Sequence, residues 1–428
     1  MSQFNSLSVT ELNELHQTLQ EKYNAFKGQG LKLDMSRGKP SSQQLDLSNG
    51  MLDVLTSEDS QKAADGTDVR NYGGLDGLPE TKQFFAEILE VRPEEIIIGG
   101  NSSLNMMHDT IARALFHGVP GSEKPWSALP KVKFLCPSPG YDRHFAICEL
   151  FNIEMIIVDV TEEGPDMDLV EKLVKEDEAI KGIWCVPKYS NPEGITYSDE
   201  VVDRLAKMET KAIDFRIFWD DAYTIHHLTD TPDQLKNILS TCKEVGTEDR
   251  VFIFTSTSKV TFAGSGIGVM AASETNIKYT QKLLSFQTIG PDKINQLRHL
   301  KFFKNQENLA EHMRKHAELI KPKFDIVLNT LEAELAGSGI ASWKKPNGGY
   351  FISFNTLEGC AKKVVSMAKE AGVTLTGAGA TFPYGKDPED RNIRIAPTFP
   401  SLEELQKAVD VFCLCVKIAS IEKLIAEQ

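Results

Sequence analysis

The chain has 428 residues, enough for one large α/β domain with a smaller partner or for two comparable domains. Hydrophobic residues at 41% and charged residues at 25% describe an ordinary globular composition, and no window reaches the uninterrupted apolar length of a membrane span. The formal net charge of −14 argues against a general nucleic-acid or acidic-membrane surface, which needs a basic footprint, yet leaves room for a few arginines around an acidic substrate.

The opening Met1-Ser-Gln-Phe-Asn-Ser-Leu-Ser lacks the basic start and apolar block of a signal peptide, so a cytoplasmic enzyme is expected. Ser8-Val-Thr-Glu11 reads as a capping box for a helix through Leu12, Leu15, Leu19 and Tyr23, stopped at Gly28-Gln-Gly30. A short strand at Leu31–Met35 leads into a turn at Arg37-Gly38-Lys39-Pro40. From about residue 80, apolar strand candidates recur at Ile96–Ile98, Val132–Cys136, Met155–Val160, Ile183–Val186, Ile217–Trp219, Val251–Phe254 and Ile267–Ala271. Helical stretches such as Met167–Asp177 and Ser198–Glu209 separate most of them. This alternation predicts an α/β fold with a mostly parallel sheet covered by helices on both faces.

Leu309, Met313, Leu319, Ile320 and Ile326 recur at helical spacing between Gln306 and Glu334, which predicts one long helix leading into the C-terminal part. That part reads as α+β: a strand at Tyr350–Phe354, a helix at Ala361–Glu370, a strand at Asn392–Ile395 and a helix at Leu402–Leu424. The expected organisation is a large cofactor-binding domain at 61–320 and a small domain assembled from 1–60 and 321–428. Seven cysteines are scattered without a CxxC pair. Cys136 and Cys185 fall in apolar strands and read as reduced core thiols. Cys413-Leu-Cys415 sits in an apolar run with no histidine nearby, so packing is expected there and no metal site.

Several strand ends carry chemistry-bearing residues. Lys259 follows the run Arg250–Thr255 and precedes the small-residue stretch Gly264-Ser-Gly266-Ile-Gly268. A lysine so placed is either a solvated strand end or an amine delivered to the ligand crevice of an α/β sheet. Asn191-Pro192-Glu193-Gly194 follows another strand, and Asp220 ends a third, with Tyr223 three residues on. Taken singly, the first is a common turn and the second a common helix cap. Their spacing joins them: Asp220 follows Asn191 by 29 residues and Lys259 follows Asp220 by 39, one to one and a half strand–helix units each. In a doubly wound sheet all three emerge on the same carboxyl edge. Gly99-Gly100-Asn101-Ser102-Ser103 lies between a strand and a helix start, the form of a phosphate cradle.

This ordered set resembles the fold type I pyridoxal-phosphate enzymes, specifically the class I and II aminotransferases, over most of the chain from about Gly38 to Arg394. The resemblance implies that Lys259 forms the Schiff base with pyridoxal 5'-phosphate and serves as the base once displaced. It implies that Asp220, rather than Asp221, pairs with the pyridine nitrogen, while Asn191 and Tyr223 hold the phenolic oxygen. Gly100, Asn101 and Ser102, joined by Ser256, are implied at the phosphate, and Tyr141 against the pyridine ring. Tyr72, in Asn71-Tyr72-Gly73-Gly74, is implied at the phosphate of a neighbouring subunit, so that a homodimer completes the site. Arg394 is implied at the substrate α-carboxylate, with Gly38 and Asn191 beside it.

One position departs from the family pattern: Gly266 stands where members usually carry a phosphate-gripping arginine. Gly264-Ser-Gly266-Ile-Gly268 is not a dinucleotide fingerprint, because it follows Ser-Lys and no acidic residue lies at the required distance beyond it. The resemblance is nearest to a divergent bacterial aspartate aminotransferase subgroup, which implies transfer of an amino group from aspartate to 2-oxoglutarate. A dicarboxylate needs a second cation, for which Arg37, Lys39, Arg143, His144 and Arg298 are candidates. A lyase or decarboxylase on the same fold is the alternative, because the cofactor does the bond breaking. A non-catalytic regulator is a further one, although residues 1–30 have neither the length nor the charge for a DNA-binding module.

Overall fold

The computed structural model describes residues 4–428. The capping box forms: the Glu11 N–H donates to Ser8 Oγ and the Ser8 N–H to the Glu11 carboxylate, opening the helix Val9–Lys27. Strand β1 (Leu33–Asp34) is shorter than the strand expected at Leu31–Met35.

Eight strands build the large sheet: β2 (Ile96–Ile98), β3 (Lys133–Ser138), β4 (Glu154–Thr161), β5 (Gly164–Pro165), β6 (Ile180–Cys185), β7 (Arg216–Asp220), β8 (Val251–Ser256) and β9 (Gly268–Ala272). Their spatial order is β2-β9-β8-β7-β6-β3-β4-β5. The central strands β4, β3, β6, β7 and β8 are parallel. β9 runs antiparallel to both β8 and β2, and β5 antiparallel to β4. The reversal at β9 has a simple cause. The link 257–267 is too short for the crossover helix that a parallel neighbour requires.

Both faces of the sheet are buried, which is why its strands read as continuous apolar runs. Ile183, Cys185, Ile217, Trp219 and Ile253 face one core, and Trp184, Phe218, Phe252 and Phe254 face the other. All seven cysteines are free and buried.

The remaining strands are β10 (Ala341–Trp343), β11 (Ile352–Thr356), β12 (Val373–Thr374) and β13 (Asn392–Ile395). β10, β11 and β13 form an antiparallel sheet, and β12 pairs in parallel with β1 across almost the whole chain length. Leu12, Leu19, Tyr23 and Met35 share a core with Ile352, Val373 and Phe412, so the two ends of the chain fold together. The helix Gln306–Leu335 connects this core to the large sheet. Its Leu309 and Met313 pack in the sheet's core, and Ile320, Phe324, Val327 and Leu331 in the other. The boundary expected at residue 320 thus falls inside a continuous helix. Among the described residues no helix is long and apolar enough to cross a membrane, and no cluster of three or more His, Cys, Asp or Glu is arranged to hold a metal ion.

Candidate active site

Four adjacent parallel strands deliver side chains to one edge of the sheet. Tyr141 follows β3, Asn191 follows β6, Asp220 ends β7 and Lys259 follows β8. The carboxyl edge of an α/β sheet is where ligands bind, because the loops there diverge into a crevice.

Asp220 is buried, with Oδ2 2.9 Å from His144 Nε2. Its Oδ1 is buried and has no partner. An acceptor left bare inside a protein costs free energy unless a donor arrives. His144 lies in the first turn of the helix Asp142–Leu150, stacked on Trp184 at 4.3 Å and edge-on to Tyr141 at 5.0 Å. It is therefore not free to act as the cation for a distal carboxylate. The sequence signal for this role is its position three residues after Tyr141, which keeps both side chains near the start of one helix.

Lys259 sits between two aromatic rings, Nζ 5.2 Å from the centroid of Tyr223 and 5.7 Å from that of Tyr350. Burial lowers its pKa, Asp220 acts in the opposite direction and Arg394 adds to the lowering. The peptide after it is held from behind: His312 Nε2 lies 2.8 Å from the Val260 carbonyl. Burial also raises the pKa of Tyr223 and of Tyr141, with the negative charge of Asp220 contributing to both.

Arg394, in the middle of β13, is 7% exposed. Its Nη1 donates to Asn191 Oδ1 at 3.2 Å and to Asp142 Oδ1 at 2.9 Å. The Phe351 ring lies 4.8 Å from the guanidinium carbon. Gly38 lies against that ring so closely that a Cβ would fall 2.3 Å from it, so the turn at 37–40 reaches Arg394 through Phe351 only because residue 38 is glycine.

The cradle Gly99–Ser102 connects β2 to the helix Ser103–His117, with Ser102 as the N-cap accepting the Asn105 N–H. The lysine loop is laid directly on it. The Gly268 N–H donates to the Gly100 carbonyl at 2.6 Å, and a Cβ on Gly268 would come within 2.7 Å of the Ser102 carbonyl. Ser256 Oγ is 3.0 Å from Ser258 Oγ, which donates to the Asn101 carbonyl at 3.4 Å. Gly100, Asn101, Ser102 and Ser256 are thus gathered at one place. A Cβ on Gly266 would lie 3.0 Å from the Asn101 carbonyl and 3.4 Å from the Ser258 nitrogen, so a side chain there would begin inside the cradle. Arg298 reaches the same loop from the helix Lys293–Phe303, its Nη2 donating to Ser265 Oγ at 2.9 Å and to Asn295 Oδ1 at 2.6 Å.

Tyr72 points outward, 82% exposed. Of the other basic candidates, Arg37, Lys39 and Arg143 are all exposed, with Lys39 over the Phe399 ring at 3.9 Å.

A buried lysine, a carboxylate with one bare oxygen and a glycine-and-serine cradle on one sheet edge are what the resemblance to the fold type I pyridoxal-phosphate-dependent aminotransferases implies, and comparison with known proteins gives the same class. The sequence profile of the aspartate amino-transferase family matches residues 7–428. A Mycolicibacterium smegmatis protein named as an aminotransferase is 50% identical over 426 residues, 99% of this chain and 100% of that one. The aspartate aminotransferase of Corynebacterium glutamicum is 46% identical over 407 residues, 95% of this chain and 94% of that one. The crystal structure of an aspartate transaminase from the same organism superposes with a TM-score of 0.96 at 45% identity, covering 99% of both chains. The chain belongs to the aspartate amino-transferase family.

Proposed function

We propose that this enzyme transfers the amino group of an amino acid, aspartate in the first instance, to 2-oxoglutarate, using pyridoxal phosphate attached at Lys259. The observation that carries the reading is Asp220: one carboxylate oxygen is taken by His144, and the other is buried, bare and in electrostatic reach of Lys259. The family and its fold imply pyridoxal phosphate, and the chain's own groups fit it. The bare Asp220 oxygen suits a protonated ring nitrogen, Lys259 an aldehyde, and the cradle at Gly100, Asn101, Ser102 and Ser256 a phosphate.

When bound, pyridoxal phosphate supplies an electrophilic carbonyl and a conjugated ring that takes up the electron pair released at the substrate Cα. Asp220 keeps the proton on the ring nitrogen, and His144 holds Asp220 in place by donating Nε2–H to Oδ2. Asn191 accepts from Arg394 through Oδ1, which leaves its amide nitrogen to donate to the cofactor's phenolic oxygen beside Tyr223. Tyr141 would pack against the ring. Arg394 binds the substrate α-carboxylate with Gly38 beside it, because a planar fork fixes a carboxylate's orientation as well as its position. Lys259, its pKa lowered by burial, gives up its proton more readily than a solvated lysine and would carry the Cα proton.

Aspartate specificity is supported by the name of the 46% identical relative. The distal carboxylate would fall to Arg37 beside Gly38 or Arg143 beside Asp142, the exposed arginines among the candidates. Tyr72 would serve the phosphate of a second copy, and residues 1–60 with 321–428 would close over the large domain at 61–320.

The test is a screen of amino donors against 2-oxoglutarate with ammonia and carbon dioxide assayed in parallel. Aspartate is expected to give oxaloacetate and glutamate in equal amounts and neither gas. Release of ammonia or carbon dioxide in step with donor loss would assign a lyase or a decarboxylase instead. A wild-type protein that stays colourless after cofactor addition, or a Lys259→Ala variant in which borohydride still fixes the cofactor, would overturn the role of Lys259.

A further inference from the structure

The guanidinium of Arg394 is constrained on three sides. Asn191 Oδ1 and Asp142 Oδ1 both accept from Nη1, at 3.2 and 2.9 Å, so that nitrogen is committed to the protein. The Phe351 ring covers one face, 4.8 Å from the guanidinium carbon, and is itself backed by Gly38. Nε is buried and has no partner. The edge running from Nε to Nη2 is therefore the one that remains for a ligand, and such an edge takes a carboxylate through two parallel hydrogen bonds.

Asp142 is the unexpected member of this set. It is the first residue of the helix Asp142–Leu150, where a carboxylate also interacts favourably with the helix N-terminus. A solvated helix-start acid would serve that purpose without a partner. Here the carboxylate is instead paired with a side chain 252 residues away in β13. The same helix turn carries His144, which holds Asp220. One short helix thus braces the group facing the substrate carboxylate and the group facing the cofactor ring.

We propose that Asp142 is a positioning residue for substrate binding: by holding Nη1, it turns the guanidinium of Arg394 so that the Nε–Nη2 edge meets the substrate α-carboxylate. The inference rests on the reading of Arg394 as the carboxylate anchor. A negative charge so close to an incoming carboxylate also repels it, and two effects of opposite sign follow. If orientation dominates, removing Asp142 weakens substrate binding; if repulsion dominates, removing it strengthens binding. The direct 2.9 Å contact and the burial of Arg394 favour orientation, because a buried guanidinium that loses one of two fixed acceptors is free to turn.

The experiment compares Asp142→Ala, Asp142→Asn and Arg394→Ala in the cofactor-loaded enzyme, with L-aspartate and 2-oxoglutarate as substrates. Asp142→Ala is expected to raise KM for both substrates in parallel by about tenfold, with kcat within about threefold of wild type. Its dissociation constant for pyridoxal phosphate should not change. Asp142→Asn keeps an oxygen acceptor at the same place and is expected to restore KM to within about threefold of wild type. Unchanged KM values in Asp142→Ala would overturn the proposal, as would a fall in KM, which would make Asp142 a competitor for Arg394. Equal losses in Asp142→Asn and Asp142→Ala would also overturn it, since charge rather than the fixed acceptor would then matter. Arg394→Ala separates this failure from failure of the anchor itself: an Arg394→Ala enzyme with wild-type KM would remove the premise, whereas a large rise there with no change at Asp142 removes only the present inference.

Discussion

Asp220 and Asp221 are adjacent, both are buried, and their surroundings divide their chemistry. Asp221 has a buried oxygen without a partner, and burial pushes its pKa up to about 7, with Lys188 and Thr224 pulling the other way. Between the unfolded carboxyl value near 4 and the folded value near 7, the folded protein keeps a proton that the unfolded chain releases. Stability therefore falls as pH rises through this window, at about 1.4 kcal/mol per pH unit at its steepest, and the penalty is complete above it. Asp221→Asn is expected to remove this slope and to be more stable than wild type at pH 8; denaturant titrations at pH 5 and pH 8 that show parallel losses in both proteins would contradict it. At Asp220 the decisive neighbour is His144. His144→Ala leaves a buried carboxylate with neither oxygen paired in the cofactor-free protein, and is expected to weaken cofactor binding by about 10–100-fold, read by absorbance titration. In the sequence only motif order sets Asp220 apart from Asp221, and His144 is not recognisable there as the partner of Asp220. Its role is a contact spanning 76 residues, and the sequence marks it only as one polar residue near Tyr141.

The elements that the sequence shows most clearly are those whose packing leaves no alternative. β6, β7 and β8 lie within a few residues of the apolar runs Ile183–Val186, Ile217–Trp219 and Val251–Phe254, because the middles of strands buried on both faces are filled by apolar side chains, with the charged Lys181, Arg216 and Asp220 at or next to the strand ends. Strands β5, β10 and β12 are absent from such a reading, since none is a run of buried apolar residues: β5 is Gly164-Pro165, and β10 and β12 are partly exposed. The helix Leu402–Glu427 is the opposite case. It buries residues around most of its circumference between the helices Val9–Lys27 and Gln306–Leu335, so Cys413 and Cys415 are packing groups like their neighbours. Phe412 is fully buried there and edge-on to Phe354 at 4.8 Å. Phe412→Ala is expected to cost about 3–5 kcal/mol of stability, measured by urea denaturation, while leaving KM for both substrates near wild type at temperatures well below unfolding. A loss below 1 kcal/mol would mean that this core tightens around the gap or unfolds separately from the rest.

At the scale of the whole molecule, Tyr72 points outward from a surface rich in apolar groups. Tyr72 is 82% exposed and Phe286 86%, with Ile289 and Ile294 also exposed, and Gly290 packs so tightly on Gly73 that a Cβ would meet its carbonyl at 2.5 Å. The segments 72–74 and 286–294 therefore form one surface rich in large apolar groups, the kind of patch that an interface covers. If a second copy of this chain covers it and each Tyr72 reaches the cradle of its partner, the two sites become separable by genetics. A Tyr72→Ala chain has Lys259 but lends nothing to its neighbour; a Lys259→Ala chain lends Tyr72 but has no amine of its own. Each homodimer is expected to be impaired at limiting pyridoxal phosphate, the second completely. A mixed dimer has one site with both groups and one with neither. Co-expressed in equal amounts, the two variants should recover about one quarter of wild-type activity, because random pairing makes about half the dimers mixed and each carries one intact site. Activity no higher than the average of the two separate variants would place Tyr72 outside the partner's site, and a monomer in sedimentation at assay concentration would remove the dimer from the mechanism.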